Sequence, residues 1–293
     1  MKIESYAKIN LGLKVVGKRQ DGFHDIISLF LEVDLADELT ILNRSDGEIR
    51  VLCSDPRIPD GGDNLVFHAA DALRRAANDE SLGCEIEIQK RIPSGGGLGG
   101  GSSNAAAAIS RLNEIWNTRL GHDGLRRVSE SVGSDVPFFL TGGCASVSGR
   151  GEIVQPIDFS GNPAIVLVDP GFCVPTAWAF GKLNIELTTE CPYIRLMNSV
   201  RDSGNVDLHA LFRFVDNDFL TLVAARYPSV HRILSLIRDS GAECASMSGT
   251  GATLYGGFAD ETLAREAIDR LRNQGYIAHL CRPVRRLRHS LAQ

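Results

Sequence analysis

No two of the seven cysteines form a Cys-x-x-Cys pair, and no two of the seven histidines are spaced His-x-x-x-His. That speaks against a structural zinc site or a dithiol redox motif, and the scattered thiols read as reduced, largely buried small side chains. Basic charge is short as well: 31 Lys and Arg stand against 36 Asp and Glu, a formal net charge of -5. Nucleic-acid binders normally carry a basic surplus, so no nucleic-acid partner is expected. The one basic cluster, Arg282, Arg285, Arg286 and Arg288, reads as a solvated terminal strand or tail, with a polyanion-contacting patch as the alternative. No run reaches the ~18 apolar residues of a membrane span. Met1–Glu4 lead straight into a strand pattern, without an apolar leader or an Arg/Ser-rich transit segment. The expected location is therefore the cytoplasm, with no membrane partner. Repeats and low-complexity linkers are missing too.

What is present is an ordinary globular mixture, 43% hydrophobic and 23% charged over 293 residues, enough for one large or two ordinary domains. Ile9, Leu11, Leu13 and Val15 alternate with Lys8, Asn10, Gly12 and Lys14. This period of two predicts a strand with one buried face, leaving Lys8 and Asn10 together on the other. The turn pair Asp21 and Gly22 precedes a strand over 26–33, and short strands are expected over 39–42 and 49–52 around a turn at 45–47. A helical pattern through Val66, Ala69, Ala70, Leu73 and Ala77 has Asp63 or Asn64 as its N-cap. Cys84, Ile86 and Ile88 mark a half-exposed strand, 105–116 a small-residue helix, and a further helix ends at Gly133. Strands follow over 145–148 and 153–156. The pattern restarts with an apolar strand over 164–168, which places a domain boundary near Phe159–Pro163 and divides the chain into 1–158 and 159–293. Helices over 208–227 and 231–240, a strand over 253–258, a helix over 261–273 and a last strand near 276–281 complete it. Strands and helices mixed without strict alternation predict a two-domain α+β protein.

Between the strand at Cys84 and the alanine-rich helix lie Pro93, Ser94, Gly95, Gly96, Gly97, Leu98, Gly99, Gly100, Gly101, Ser102, Ser103 and Asn104. Glycine reaches φ > 0 and lets backbone approach an anion without a Cβ in the way. Successive N–H groups then line a concavity that suits polyphosphate. Ser102 and Ser103 fall at the start of the helix, where unpaired N–H groups and the helix dipole favour negative charge. A mobile turn or close backbone packing explains poorly why six glycines occupy seven positions there. Gly95, Gly97 and Gly100 spell the dinucleotide fingerprint, but the preceding strand is half charged and no second buried strand ending in an acid follows about 20 residues on. No Lys-Ser or Lys-Thr follows as in a Walker loop, and no His-Arg-Asp or Asp-Phe-Gly element as in protein kinases. A phosphate loop of another type remains.

Three blocks, Ala7–Leu11, Pro93–Ala105 and Ser246–Ala252, resemble in order and spacing the three motifs of the GHMP superfamily, which includes galactokinase, homoserine kinase, mevalonate kinase and phosphomevalonate kinase. The doubled glycine triplet before Ser102, the run Lys18–His24, and Gly133, Ser134, Asp135, Val136 and Pro137 are similar to one branch of it. That branch phosphorylates the 2-hydroxyl of 4-diphosphocytidyl-2-C-methyl-D-erythritol on the non-mevalonate route to isoprenoid precursors. The resemblance spans Ala7 to about Phe258. It implies an N-terminal domain like domain 2 of ribosomal protein S5, a ferredoxin-like C-terminal domain, and an active site in the cleft between them. It further implies ATP along 93–104 with adenine near Asn64, and Mg²⁺ bound mainly through the ATP phosphates, with Ser102 or Ser103 assisting. Lys8 and Asp135 would be the catalytic pair. A cytidine-diphosphate-linked alcohol would contact Asn10, Phe23, His24, Thr176, Phe180, Ser248, Gly249 and Thr250, its cytosine against His24 between Phe23 and Phe180. Relatives often carry tyrosine where Phe23 stands, so stacking is kept and a hydroxyl is lost. Both a monomer and a homodimer fit.

Plainer readings stand beside these. Asp135, ahead of an apolar run, fits a helix cap or turn as well as a base that accepts the alcohol's proton during a loose phosphoryl transfer. Lys8 fits a surface lysine whose stem lies along apolar neighbours, or a partner of Asp135 that polarises the acceptor hydroxyl. His24 fits a surface histidine, Phe180 and Trp178 fit core aromatics, and Ser248–Gly251 fit a hairpin turn. Other functions also match parts of the pattern: a GHMP kinase for mevalonate, homoserine or a sugar, a non-enzymatic nucleic-acid binder on an S5-like fold, and an NAD-dependent oxidoreductase. The acidic balance opposes the second and the missing strand the third.

Overall fold

The structure, a computed structural model, describes residues 2–184 and 190–286, so Arg288 of the basic cluster lies outside the described residues. Lys2–Lys18 (β1) and His24–Arg44 (β2) form one long antiparallel hairpin. The strands expected over 26–33 and 39–42 are therefore one: a register shift opposite Tyr6 and Ala7 carries the chain through Asp34 and Leu35 without a turn. Ile49–Cys53 (β3), Leu65–Ala77 (α1), Gly83–Gln89 (β4), Gly100–Ile115 (α2), His122–Val132 (α3), Val136–Thr141 (α4), Cys144–Gly149 (β5) and Ile153–Pro156 (β6) follow. The sheet order is β3-β4-β2-β5-β6, with β1 on the other edge of β2. β3 pairs in parallel with β4 rather than returning onto β2. Helix α2 begins at Gly100, earlier than the expected 105, because Gly99 supplies a left-handed N-cap (φ 69°) and the small residues after it enter the helix at once. Leu73, Ala105, Ile109 and Leu112 pack on Ile41, Ile86 and Ile88 to make the first core.

The second half runs Asp158–Ser160 (β7), Ala164–Asp169 (β8), Thr176–Lys182 (α5), Pro192–Ser203 (α6), Asn205–Asp207 (β9), Leu208–Phe212 (α7), Leu220–Arg226 (α8), Ser229–Asp239 (α9), Cys244–Met247 (β10), Leu254–Phe258 (β11), Glu261–Asn273 (α10) and Ile277–Cys281 (β12). An antiparallel sheet ordered β10-β11-β8-β12 carries α9 and α10 on one face, where Ile233, Ile237, Ala264 and Leu271 meet Val166, Val168, Leu254 and Phe258. The chain is thus α+β, as its element pattern predicts. The alternate residues Ile165, Leu167 and Tyr255 point to the opposite face and pack with Ile9, Leu11, Leu29 and Leu31 of the first hairpin. This third core joins the two sheets, while the phosphate loop, Ser248 and Asp135 cover the other face of β1, which corrects the expectation that β1 is half exposed. Both faces of β1 are covered, and Lys8 and Asn10 are only 3% and 1% exposed.

The helix expected over 208–227 is two helices. Between them Asp216–Asp218 lie along β1, with Leu13 N–H donating to Asp216 O at 2.7 Å and Asp218 N–H to Leu13 O at 3.0 Å. Helices α5 and α6 have no counterpart in the sequence reading. Arg282, Arg285 and Arg286 are tied to the fold rather than lying in a free tail. Arg286 holds the fully buried Glu32 through two hydrogen bonds of 2.6 and 2.9 Å. Arg285 donates to Phe159 O and Gly161 O, and Arg282 to Asn162 O. The segment fills the stretch of β2 edge between β5 and β4, with Asp34 N–H donating to Arg282 O and Val284 N–H to Glu32 O, both at 3.0 Å.

Candidate active site

Between Asn10 and Leu13, β1 slips against β2. Gly12 stands at φ 89°, and a Cβ there would strike the ring of Tyr193 from α6. Backbone groups released by this bulge find side-chain partners. Tyr193 Oη donates to Leu11 O at 2.7 Å and accepts from Leu29 N–H at 3.0 Å, and Ser28 Oγ donates to Gly12 O at 2.6 Å. Ser28 Oγ also accepts from Asn10 Nδ2 at 2.9 Å, which turns Asn10 Oδ1 toward Lys8 Nζ, 2.6 Å away.

Lys8 Nζ lies 4.4 Å from the centroid of the Phe30 ring and 3.6 Å from Asp135 Oδ2. Burial pulls the Lys8 ammonium below its ordinary pKa, and Asp135 works against that pull. Asp135 occupies the N-cap position of α4, yet its side chain makes no capping hydrogen bond. One third of that side chain is exposed, toward the cleft.

Gly95, Gly97 and Gly99 take positive φ in alternation (71°, 76°, 69°), a backbone form that aims N–H groups into a common hollow. A Cβ on Gly97 would strike the carbonyl oxygen of Ser248. One on Gly99 would stand 2.8 Å from Phe139 Cζ and 3.2 Å from Lys8 Cε. The loop is stitched to β1 and to the second glycine-rich turn. Lys8 N–H donates to Leu98 O at 2.9 Å, Thr253 N–H to Gly96 O at 3.0 Å, and Ser248 Oγ to Gly97 O at 2.8 Å while accepting from Asn10 N–H at 3.2 Å. Asp37, fully buried, accepts from Arg91 N–H, Ile92 N–H, Asn104 Nδ2 and Lys90 Nζ, and so fixes both ends of the loop.

Two pockets meet at Gly97. One, of about 370 Å³, is lined by Asn64 and by all of 93–102 with Asn104. The other, of about 860 Å³, holds Lys8, Asn10, Asp135, Phe23, His24, Thr176, Phe180, Gly249 and Thr250. Asn64 is the N-cap of α1: Oδ1 accepts from Val66 N–H at 2.9 Å and Nδ2 donates to Pro59 O at 2.8 Å. Ser102 faces the smaller pocket, whereas buried Ser103 accepts from Ser5 Oγ at 2.7 Å and is committed there, contrary to the pairing of the two as equivalent. Ser94 Oγ and Thr253 Oγ1 are buried beside the loop with no hydrogen-bond partner among the described residues. No cluster of three His, Cys, Asp or Glu side chains suited to a metal occurs among the described residues.

In the larger pocket the His24 ring lies on Phe180, centroids 5.0 Å apart and planes 28° from parallel, and Phe180 meets Phe219 edge-on at 4.8 Å. Phe180 is thus both core and pocket wall. His24 covers one of its faces, and Phe23, half exposed at the mouth, touches neither ring. Thr176 Oγ1 and Thr250 Oγ1 are 3.3 Å apart. The pocket also contains Lys18, Ser134 and Arg150, to which the sequence reading gives no place in the site. The glycines on either side of Arg150 were the available signal, since they mark a tight turn that presents it.

The GHMP kinases N terminal domain family matches residues 64–143, and the GHMP kinases C terminal family matches residues 207–277. Proteins named 4-diphosphocytidyl-2-C-methyl-D-erythritol kinase from Prosthecochloris aestuarii and Citrifermentans bemidjiense are 36% and 35% identical to the chain. The matches cover 92% and 95% of this chain and 93% and 97% of theirs. A solved 4-(cytidine 5'-diphospho)-2C-methyl-D-erythritol kinase superposes with a TM-score of 0.80 at 29% identity, covering 98% of this chain and all of that one. A mevalonate kinase at 16% identity and a TM-score of 0.68, covering 98% of this chain and 100% of that one, shares the fold.

Proposed function

The chain belongs to the GHMP kinase family, and on that premise we propose that it moves the γ-phosphate of ATP onto the 2-hydroxyl of 4-diphosphocytidyl-2-C-methyl-D-erythritol, giving the 2-phosphate and ADP on the non-mevalonate route to isoprenoid precursors. The observation that carries this reading is the placement of Lys8 and Asp135 where the two pockets meet, with Gly99 against the Lys8 stem. ATP takes the smaller pocket, its phosphates over the N–H groups of 95–101 and the first turn of α2. The alcohol takes the larger one, whose size suits a nucleotide-linked substrate. Asp135 accepts the hydroxyl proton as the oxygen meets the phosphorus. Lys8, oriented by Asn10, steadies the negative charge on the transferring group. Cytosine is read by the His24–Phe180 wall with Phe23 across the mouth.

Mg²⁺ fits this donor side as an ion arriving on ATP: Ser102, free of a hydrogen bond among the described residues, would hold it together with phosphate oxygens. It supplies neutralisation of β- and γ-phosphate charge. Residues 1–158 and 159–293 are the two domains flanking the cleft. The cytoplasm suits the protein, since all seven cysteines are free thiols and ATP is the donor. Among the described residues no helix is long and apolar enough to cross a membrane.

An ADP-release assay over a panel of alcohols tests the substrate. ADP is expected with the cytidine-linked alcohol and not with mevalonate, homoserine or galactose. Turnover of an alcohol without a base, and none of the cytidine-linked one, overturns the reading.

A further inference from the structure

The cytidine-linked substrate carries a diphosphate between its base and its reacting alcohol, and nothing described so far meets that charge. Arg150 stands at the tip of the turn joining β5 to β6, between Gly149 (φ 66°) and Gly151 (φ 122°). On one side its guanidinium carbon lies 4.8 Å from the Phe23 ring centroid, at the base end of the larger pocket. On the other, a Cβ placed on Gly151 would be 3.3 Å from Asp135 Oδ1, at the reacting end. Arg150 therefore occupies the wall between the two ends, where the linking diphosphate has to pass.

The guanidinium is available. It donates no hydrogen bond among the described residues, and its one ion-pair neighbour, Glu152, is 4.0 Å away. The Glu152 carboxylate is turned into the hairpin instead, accepting from Arg150 N–H at 2.6 Å. Arg19, on the nearby β1–β2 turn, is by contrast neutralised by Asp21 and Asp25. Lys18, also in the pocket, has no ion-pair partner among the described residues, so a second cation stands unpaired at the rim. A planar five-donor fork matches two oxygens of a diphosphate, whereas cytidine alone offers it no anionic oxygen.

We propose that Arg150 binds the diphosphate bridge of the acceptor substrate and selects a nucleoside-diphosphate-linked alcohol over a neutral one. The inference rests on the function proposed above and names a residue for it.

The test is calorimetric binding of CDP and of cytidine to the full chain, with the smaller pocket filled by a non-hydrolysable ATP analogue. Wild type is expected to prefer CDP, and Arg150→Gln to reduce the CDP:cytidine affinity ratio about tenfold or more, as loss of a charge-assisted fork would. Cytidine affinity itself should hold within about twofold, which shows that the partly exposed turn still folds and that the base site is intact. An unchanged ratio in the variant overturns the assignment while leaving the cytidine reading in place. Failure of wild type to bind either probe overturns the function reading itself, and the assignment with it.

Discussion

Asp135 keeps a third of its side chain in solvent, while its neighbour Lys8 keeps almost none. The two should fail differently when replaced. Asp135→Asn retains size and cannot hold a proton, so kcat should fall about 10²–10⁴-fold, the usual worth of general-base assistance. Both substrates should still bind, and although the carboxylate caps nothing, the melting temperature should fall, because Asp135 is the counter-charge of the buried Lys8 ammonium. Near-normal turnover in a folded Asp135→Asn enzyme would mean that the alcohol loses its proton without a base. Lys8→Met should also lower kcat, and the double variant should cost less than the product of the single effects, because the pair acts as one unit. Its melting temperature, however, should match or exceed wild type, since an unbranched apolar chain replaces a buried cation. The sign of the pH effect follows from the same burial. The folded protein binds the Lys8 proton less tightly than the unfolded chain, whose lysine titrates at the ordinary 10.5. From the lowered folded value up to that point, stability gains with rising pH. Lys8→Met should flatten that alkaline slope, and a chemical-denaturation series across pH reads it.

The glycine loop is the element on which most of the site hangs. Gly99→Val would press a branched side chain on Phe139 and on the Lys8 stem. ATP binding should become undetectable by calorimetry while the circular dichroism spectrum stays near wild type; unchanged affinity would remove the loop from the donor site. On the acceptor side, Phe180→Ala should raise KM for the cytidyl substrate about tenfold or more, the scale of one lost base-stacking contact, and leave KM for ATP nearly alone. A shift in the ATP value instead would place Phe180 with the donor or the core. How legible each part was depends on how local its cause is. The loop could be read directly, since positive φ and close approach are demands each glycine answers where it stands. Lys8 and Asn10 could be read as one face of a strand but not as buried, because what covers them comes from the phosphate loop, Ser248 and Asp135, far along the chain. Tyr193 was invisible for the same reason: its work is to plug a bulge at Leu11, 182 residues earlier. The division of 208–227 into two helices likewise follows from backbone bonds to Leu13, which outweigh local helical preference.

At the scale of the whole molecule, the third core and the terminal strap tie the two sheets to one another. Glu32 is wholly buried and its carboxyl is raised above the ordinary value by that burial, with Arg286 opposing. Arg286→Met should cost roughly 3 kcal/mol, the low end for one lost partner of a buried pair, given that Arg286 is itself part-exposed. Removing the cation lifts the Glu32 carboxyl further, so the folded variant holds that proton more tightly than the unfolded chain does. The deficit should therefore be smaller near pH 5 and grow as pH rises to 8. Adding Glu32→Gln should recover much of it, and an additive loss in the double variant would show that the two side chains do not act as a pair.

The strap also sets a timetable for biosynthesis. Glu32 and Arg286 stand 254 residues apart, so the hairpin bearing Lys8 leaves the ribosome long before the segment that closes its edge has been translated. Throughout elongation Val33 and Asp34 offer open strand edge and Glu32 has no counter-charge, a condition that invites pairing with other nascent chains. A frameshift or stop just ahead of Arg282 would leave every motif of the phosphate loop in place and still release a chain caught in that unfinished state.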